Sequence, residues 1–215
     1  MLQNYSSEFL SLAFVHFLAV VAPGPDFAIT IHQSVRFGRT IGVITALGIG
    51  AGISLHVGYT LLGVSALLHS YPWLLTLTSI IGAAYLCYLG LGLLRSRPRN
   101  LDSEAPISET SMSTEFPSLK KAFFLGFLTN ATNPKATLFF LAMFTTLVSP
   151  ATPLGIQGLY GIWMCGVNAA WFALVAVLFT VNSVRHKFLA MGYLLERCMG
   201  FVLLLFAFRL IWNTF

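Results

Sequence analysis

The feature that most restricts this chain is its succession of long, nearly charge-free apolar stretches, at about 9–35, 40–68, 72–94, 121–148, 155–180 and 189–213. Each is long enough for a membrane, because a helix needs about 20 apolar residues to cross roughly 30 Å of hydrocarbon. Backbone polar groups must be paired inside lipid, which leaves helices or a closed barrel. Alternating strands of about ten residues are absent, so the barrel is excluded. Composition agrees: 57% of the residues are apolar and 9% charged, against roughly 25% charged in soluble domains. The expected fold is an all-α membrane protein with about six transmembrane helices.

The net charge of +5 does not mark a nucleic-acid binder, because the basic residues sit in short loops between apolar runs. Arg36 and Arg39 lie between the first two runs, and Arg95, Arg97, Arg99, Lys120 and Lys121 around the centre. Arg185 and Lys187 lie between the last two, whereas Leu68–Pro72 and Ser149–Leu154 hold neither Lys nor Arg. Positive charge stays on the cytoplasmic side. The three basic loops are therefore expected in the cytoplasm of a bacterial inner-membrane protein, with both termini outside. The first run carries Glu8, lacks a basic leader, and is followed at once by more apolar sequence. It is expected to be retained rather than cleaved as a signal peptide.

Residues 96–118 are rich in Ser, Thr, Glu and Pro, the composition of a flexible linker. They divide the chain into a three-helix half at 1–95 and another at 119–215. Charge places the start of one half outside and the start of the other inside, as in inverted repeats. The sixth run contains Glu196 and Arg197, so its first turns are expected to lie along the interface. Arg209 is expected to snorkel to the outer interface.

Both halves carry a broken helix. The first contains Ala22-Pro23-Gly24-Pro25-Asp26 and the fourth Asn130-Ala131-Thr132-Asn133-Pro134-Lys135. Proline removes a helical hydrogen bond and clashes with the preceding turn, so each run is expected to break there. Each second half-helix then starts with Pro25 or Pro134 at its first position, where the missing N–H costs nothing. Asn133 suits the cap of the second. Aligning the prolines sets Asp26 opposite Lys135, the only charged residues deep within the clear spans. Two positive helix ends and their freed amides would suit a carboxylate. A charge at the bilayer centre costs roughly 2.5–3.5 kcal/mol, more than the 0.3–1 kcal/mol or so that a helix dipole returns. Lys135 has the wrong sign for a helix N-terminus. A functional pair is therefore favoured over a purely structural salt bridge.

Softer candidates surround these breaks. Gly48, Gly52 and His56 recur at steps of four, so they share a face suited to close packing. His56 is a candidate proton relay there, with a packing histidine about equally favoured. His16 and His32 do not align with a break and rank lower. Asn168 and Trp171 are read mainly as packing residues. Cys87, Cys165 and Cys198 form no CxxC pair and read as small packing residues. No metal, cofactor or enzymatic constellation is expected. The Gly-rich faces allow a homodimer without requiring one.

Around these residues the chain resembles the LysE/RhtB family of amino acid exporters over nearly its whole length. The resemblance rests on Ala22–Asp26, on Gly82-Ala83-Ala84-Tyr85-Leu86-Cys87-Tyr88-Leu89-Gly90, and on Phe123–Lys135 with its Asn-Pro-Lys. It implies efflux of small amino acids such as threonine, homoserine or lysine by proton antiport. It also implies that the Pro-Gly-Pro and Asn-Pro-Lys segments take part in transport. The direction of transport comes from the resemblance alone. The expected substrate contacts are Pro23, Gly24, Pro25, Asp26, Asn130, Asn133, Pro134 and Lys135, with Asp26 and His56 as proton carriers. Two other classes remain open on the residues: a membrane thiol–disulfide electron carrier, and a membrane scaffold without transport activity.

Overall fold

A computed structural model of the chain describes residues 2–64, 72–96, 116–149 and 151–181, and parts of 183–212. Among the described residues all regular structure is helical. The helices are α1 (Leu2–Val21), α2 (Pro25–Phe37), α3 (Arg39–Tyr59), α4 (Pro72–Leu94), α5 (Leu119–Ala131), α6 (Pro134–Leu147) and α7 (Leu154–Leu178). A short π-helical turn, Thr60–Val64, follows α3, and helix recurs at 200–205. Most of the 96–118 linker, Arg209 and much of the sixth run lie outside the described residues.

Arg39–Leu62 and Leu154–Leu178 are each long and apolar enough to cross a membrane. Tyr5–Val21 and Pro25–Phe37, bent by 53° at their break, make a third crossing if they count as one span. The polarity of the molecule is inverted relative to a water-soluble protein. Leu10, Phe14, Phe17, Leu55, Leu159, Ile162 and Phe201 are exposed. His16, Gln33, His56, Asn130, Asn133 and Asn168 are buried. Lipid is the solvent that tolerates such a surface, which in water would be a large apolar patch.

Both predicted breaks are present. At the first, Gly24 is extended and Pro25 opens α2, whose first helical bond runs from Ala28 N–H to Gly24 C=O at 2.9 Å. At the second, Thr132 ends α5 and Pro134 opens α6, with the Asn133 side chain accepting from Lys135 N–H at 3.0 Å. Asn133 is thus the expected cap. α2 turns into α3 through the single residue Gly38, whose φ of 85° lies where a Cβ is disfavoured.

α3 is the centre of the packing, lying between α5 and α7, while α4 packs on α6. Backbones approach where side chains vanish. A Cβ on Gly48 would run into the Phe123 carbonyl, and one on Gly126 into the Thr45 carbonyl. Gly52 faces Asn130 and His56 reaches the Asn130 carbonyl. Gly48, Gly52 and His56 therefore share the α5-facing side, as their spacing predicts. Phe37 meets Phe116 at 5.6 Å, so the α2–α3 corner and the start of α5 lie at one end of the molecule. Elsewhere Glu8 of α1 accepts from Ser149 N–H (2.9 Å) and Thr152 Oγ1 (3.0 Å), which ties the first half of the chain to the second.

Candidate substrate site at the crossed breaks

The two breaks meet and satisfy one another. Asp26, in the first turn of α2, accepts from Asn130 Nδ2 at 2.8 Å and Asn133 Nδ2 at 3.4 Å. In return, Lys135 in the first turn of α6 donates to the Ala22 carbonyl at 3.2 Å and reaches that of Pro23 at 3.5 Å. These carbonyls close α1, where the prolines interrupt the run of helical donors. Lys135 thus sits at a helix C-terminus in space although it stands at an N-terminus in sequence, and its sign is right for the first of these. The expectation of a misplaced cation is corrected by this crossing. Such a contact stabilises by at most about 2 kcal/mol, less than the roughly 2.5–3.5 kcal/mol that insertion of the charge costs. Capping alone does not account for a lysine here.

Asp26 and Lys135 line one cavity, together with Gly24, Asn130, Asn133 and His16. The cavity has about 50 Å³ of room for water-sized molecules, where one water needs roughly 10–15 Å³. A small solute fits that scale. Its apolar wall includes Val20, Phe27, Ile53, Phe139, Phe140 and Phe172. Two acceptors beside it, Asp26 Oδ1 and Asn130 Oδ1, are buried with no hydrogen-bond partner among the described residues. Buried acceptors are rarely left unmet, and two together suit a ligand rich in N–H donors.

Of the sequence-predicted residues, Gly24, Asp26, Asn130, Asn133 and Lys135 line the cavity. Pro23 contributes its carbonyl to Lys135, while Pro25 and Pro134 shape the helix starts. His56 stands behind Asn130 rather than on the cavity wall. Its Nε2 donates to the Asn130 carbonyl at 3.0 Å, its Nδ1 lies 2.9 Å from the Tyr59 hydroxyl, and its ring stacks on Phe140. Among the described residues, His32 has a hydrogen-bond contact only with its neighbour Gln33, at 3.5 Å.

The structure raises three residues that sequence reasoning ranked low, read as packing or quoted only within a motif. His16 and Asn168 both line the cavity, joined by a 2.9 Å hydrogen bond. Tyr85, within the Gly82–Gly90 motif, donates to the Lys135 carbonyl at 2.9 Å and so holds the second break from α4. An intramembrane histidine is itself a signal of function, but the approach of α7 to α1 is invisible along the chain. Lys135→Met removes the cation from the Ala22 carbonyl and from the neighbourhood of Asp26. We expect it to lower the thermal unfolding midpoint in detergent by several degrees, since stranding such groups costs about 1–3 kcal/mol. Lys135→Arg should recover most of the loss in the same fluorescence-monitored melt.

Helices that break at paired prolines around a small cavity lined by an acid and an amine suit a membrane translocator. The comparison with known proteins makes that specific: residues 17–214 match the family described as LysE type translocator, and the chain belongs to it. The chain is 33% identical over 182 residues to the threonine efflux protein of Escherichia coli, covering 84% of this chain and 85% of that one. It is 31% identical, with the same coverage, to the threonine efflux protein of Salmonella typhi. An uncharacterized membrane protein of Haemophilus influenzae is 25% identical over 95% of this chain and 96% of its own. No solved structure gives a significant match. Membership of a translocator family supports transport over the electron-carrier and scaffold readings.

Proposed function

We propose that this protein is a secondary active exporter of small amino acids, threonine or homoserine among them, working by proton antiport in the bacterial inner membrane. The observation that carries this reading is the meeting of one acid and one amine, from two separate helix breaks, at a single small cavity. The substrate ammonium, with three donors, would bind Asp26 Oδ1 and Asn130 Oδ1. The carboxylate would bind beside Lys135, near the N-terminal ends of α2 and α6, where both helix ends are positive. A proton and an ammonium compete for the same Asp26 carboxylate, and that exclusivity is the basis of exchange. The related threonine efflux proteins of Escherichia coli and Salmonella typhi support threonine as a substrate and efflux as the direction.

His56 is the second proton carrier in this scheme. When the ring is neutral, Nε2–H donates to the Asn130 carbonyl and the Tyr59 hydroxyl donates to Nδ1. When it is protonated, Nδ1–H donates to the Tyr59 oxygen, whose own hydrogen turns to the Thr137 carbonyl 3.4 Å away. Both charge states keep their hydrogen bonds, which suits a group that must hold and release a proton. Residues 1–95 and 119–215 would act as inverted three-helix halves, six spans in all, that rock about the crossed breaks. The reciprocal bonds of Asp26 and Lys135 support that symmetry. The basic loops would face the cytoplasm.

The test is a radiolabelled amino acid panel in inverted membrane vesicles, where export is seen as uptake. Small neutral amino acids should accumulate, and an imposed acidic interior should increase the accumulation. Uptake indifferent to the pH gradient would overturn antiport, and uptake of none of the panel would overturn amino acid export.

A further inference from the structure

Beyond Asp26 the buried face of α2 stays polar. Thr30, Gln33 and Ser34 follow Asp26 at steps of four, seven and eight, so all four share one side of the helix. Thr30, Gln33 and Ser34 are each at most 1% exposed. Polar side chains inside a membrane protein commonly join one helix to another, and these do not. The Thr30 hydroxyl donates to the Asp26 carbonyl at 2.7 Å and the Ser34 hydroxyl to the Thr30 carbonyl at 2.6 Å, both within α2. Gln33 reaches only His32 beside it, at 3.5 Å, and its Oε1 is buried with no partner among the described residues. An amide oxygen stranded in this way costs about 1–3 kcal/mol. The other break shows that packing alone does not call for such a face. Phe139, Ala142 and Met143 stand as far beyond Pro134 as Thr30, Gln33 and Ser34 stand beyond Pro25, and they are just as buried but apolar.

We propose that this face of α2 is the cytoplasmic half of the transport path, and that Gln33 is its binding contact, taking the substrate ammonium on Oε1 before it passes to Asp26. This rests on the export reading, which puts Arg36 and Arg39 on the cytoplasmic side and so sets Gln33 between the cytoplasm and the cavity. Gln33 lies seven positions from Asp26, about 10 Å along the helix, with the Thr30 hydroxyl between them. An ammonium brings three donors to a face that offers an unmet amide oxygen, a hydroxyl oxygen and then a carboxylate. The path is closed in this structure, because α3 lies directly on it: a Cβ on Gly42 would run into Ser34 Oγ. Opening requires α2 to part from α3. Gly24 and Gly38 bound α2 at its two ends, where glycine gives the backbone most freedom to turn.

The experiment uses the full chain in inverted vesicles, which present the cytoplasmic face to the medium. Cysteines are placed one at a time in a background carrying Cys87→Ala, Cys165→Ala and Cys198→Ala. Thr30→Cys and Gln33→Cys should react with a charged, membrane-impermeant methanethiosulfonate at least roughly tenfold faster than Ala28→Cys, since a thiol needs water to ionise and react. Ala28 is exposed on the other side of the same helix. Saturating threonine should slow the reaction at position 33, which a purely structural glutamine would not explain. Gln33→Leu should raise the KM for threonine by roughly tenfold or more, the scale of a hydrogen bond to a charged group, with a smaller change in kcat. Gln33→Asn, which keeps an amide oxygen, should recover part of the loss. Labelling at position 33 no faster than at 28, or an unchanged KM in Gln33→Leu, would overturn the assignment and leave amino acid export standing on the wild type's own uptake. If the leucine variant does not fold, the labelling rates decide. A wild type that moves no amino acid would instead overturn the export reading, and this assignment with it.

Discussion

Asp26→Asn is expected to abolish proton-coupled efflux while the protein remains inserted and folded. The exchange keeps the size of the side chain and removes its charge and its ability to bind a proton. A buried charge pair that loses one partner costs about 3–5 kcal/mol, and each 1.4 kcal/mol or so is tenfold. Substrate bound through its ammonium should therefore be handled at least roughly a hundredfold less well. The new amide also points an N–H towards donors, since Asn130 Nδ2 and Asn133 Nδ2 both aim at this position. Counterflow in reconstituted vesicles measures the loss, and size-exclusion chromatography in detergent reports on folding. Wild-type efflux by this variant would remove Asp26 from the mechanism and leave the cavity as a packing feature.

The second large effect is structural. Gly126→Val is expected to prevent α3 and α5 from docking, because any Cβ there meets the Thr45 backbone carbonyl. Backbone cannot move aside as a side-chain end can, so the cost lies at or above the usual 1–3 kcal/mol or so of overpacking. The yield of monodisperse protein should fall by roughly tenfold or more. Gly58→Ala is the control: it is also helical, but a Cβ there meets nothing within 4 Å, and its yield should match the wild type. Equal yields from both variants would show that the α3–α5 approach is looser than described. Because Asn130 of α5 reaches Asp26, a protein that folded with this contact widened should also transport poorly.

The crossed breaks were legible in part. Pro25 and Pro134 interrupt helices by removing a donor, a property of the residue that survives any surroundings, and the two helix starts follow from it. Asn133 as a cap followed likewise, because capping is settled within three residues of chain. The sign of Lys135 was misjudged because its partners, the Ala22 and Pro23 carbonyls, belong to a helix more than a hundred residues earlier. His56 illustrates both sides. Its face was readable from steps of four, but its place behind Asn130 depended on the rotation of α5 against α3. His16 and Asn168, separated by more than 150 positions, meet only because α7 packs on α1.

By itself, then, the sequence determined the solvent, the helical class, the two break points and the identity of the charged pair. All of these depend on short-range covalent geometry or on the cost of moving groups from water to lipid. Tertiary structure decided which carbonyls Lys135 caps, which amides hold Asp26, and which histidine reaches the cavity. Those outcomes depend on helix rotation and approach, set by where glycines let backbones touch, and no local pattern along a chain encodes the distance between two distant helices.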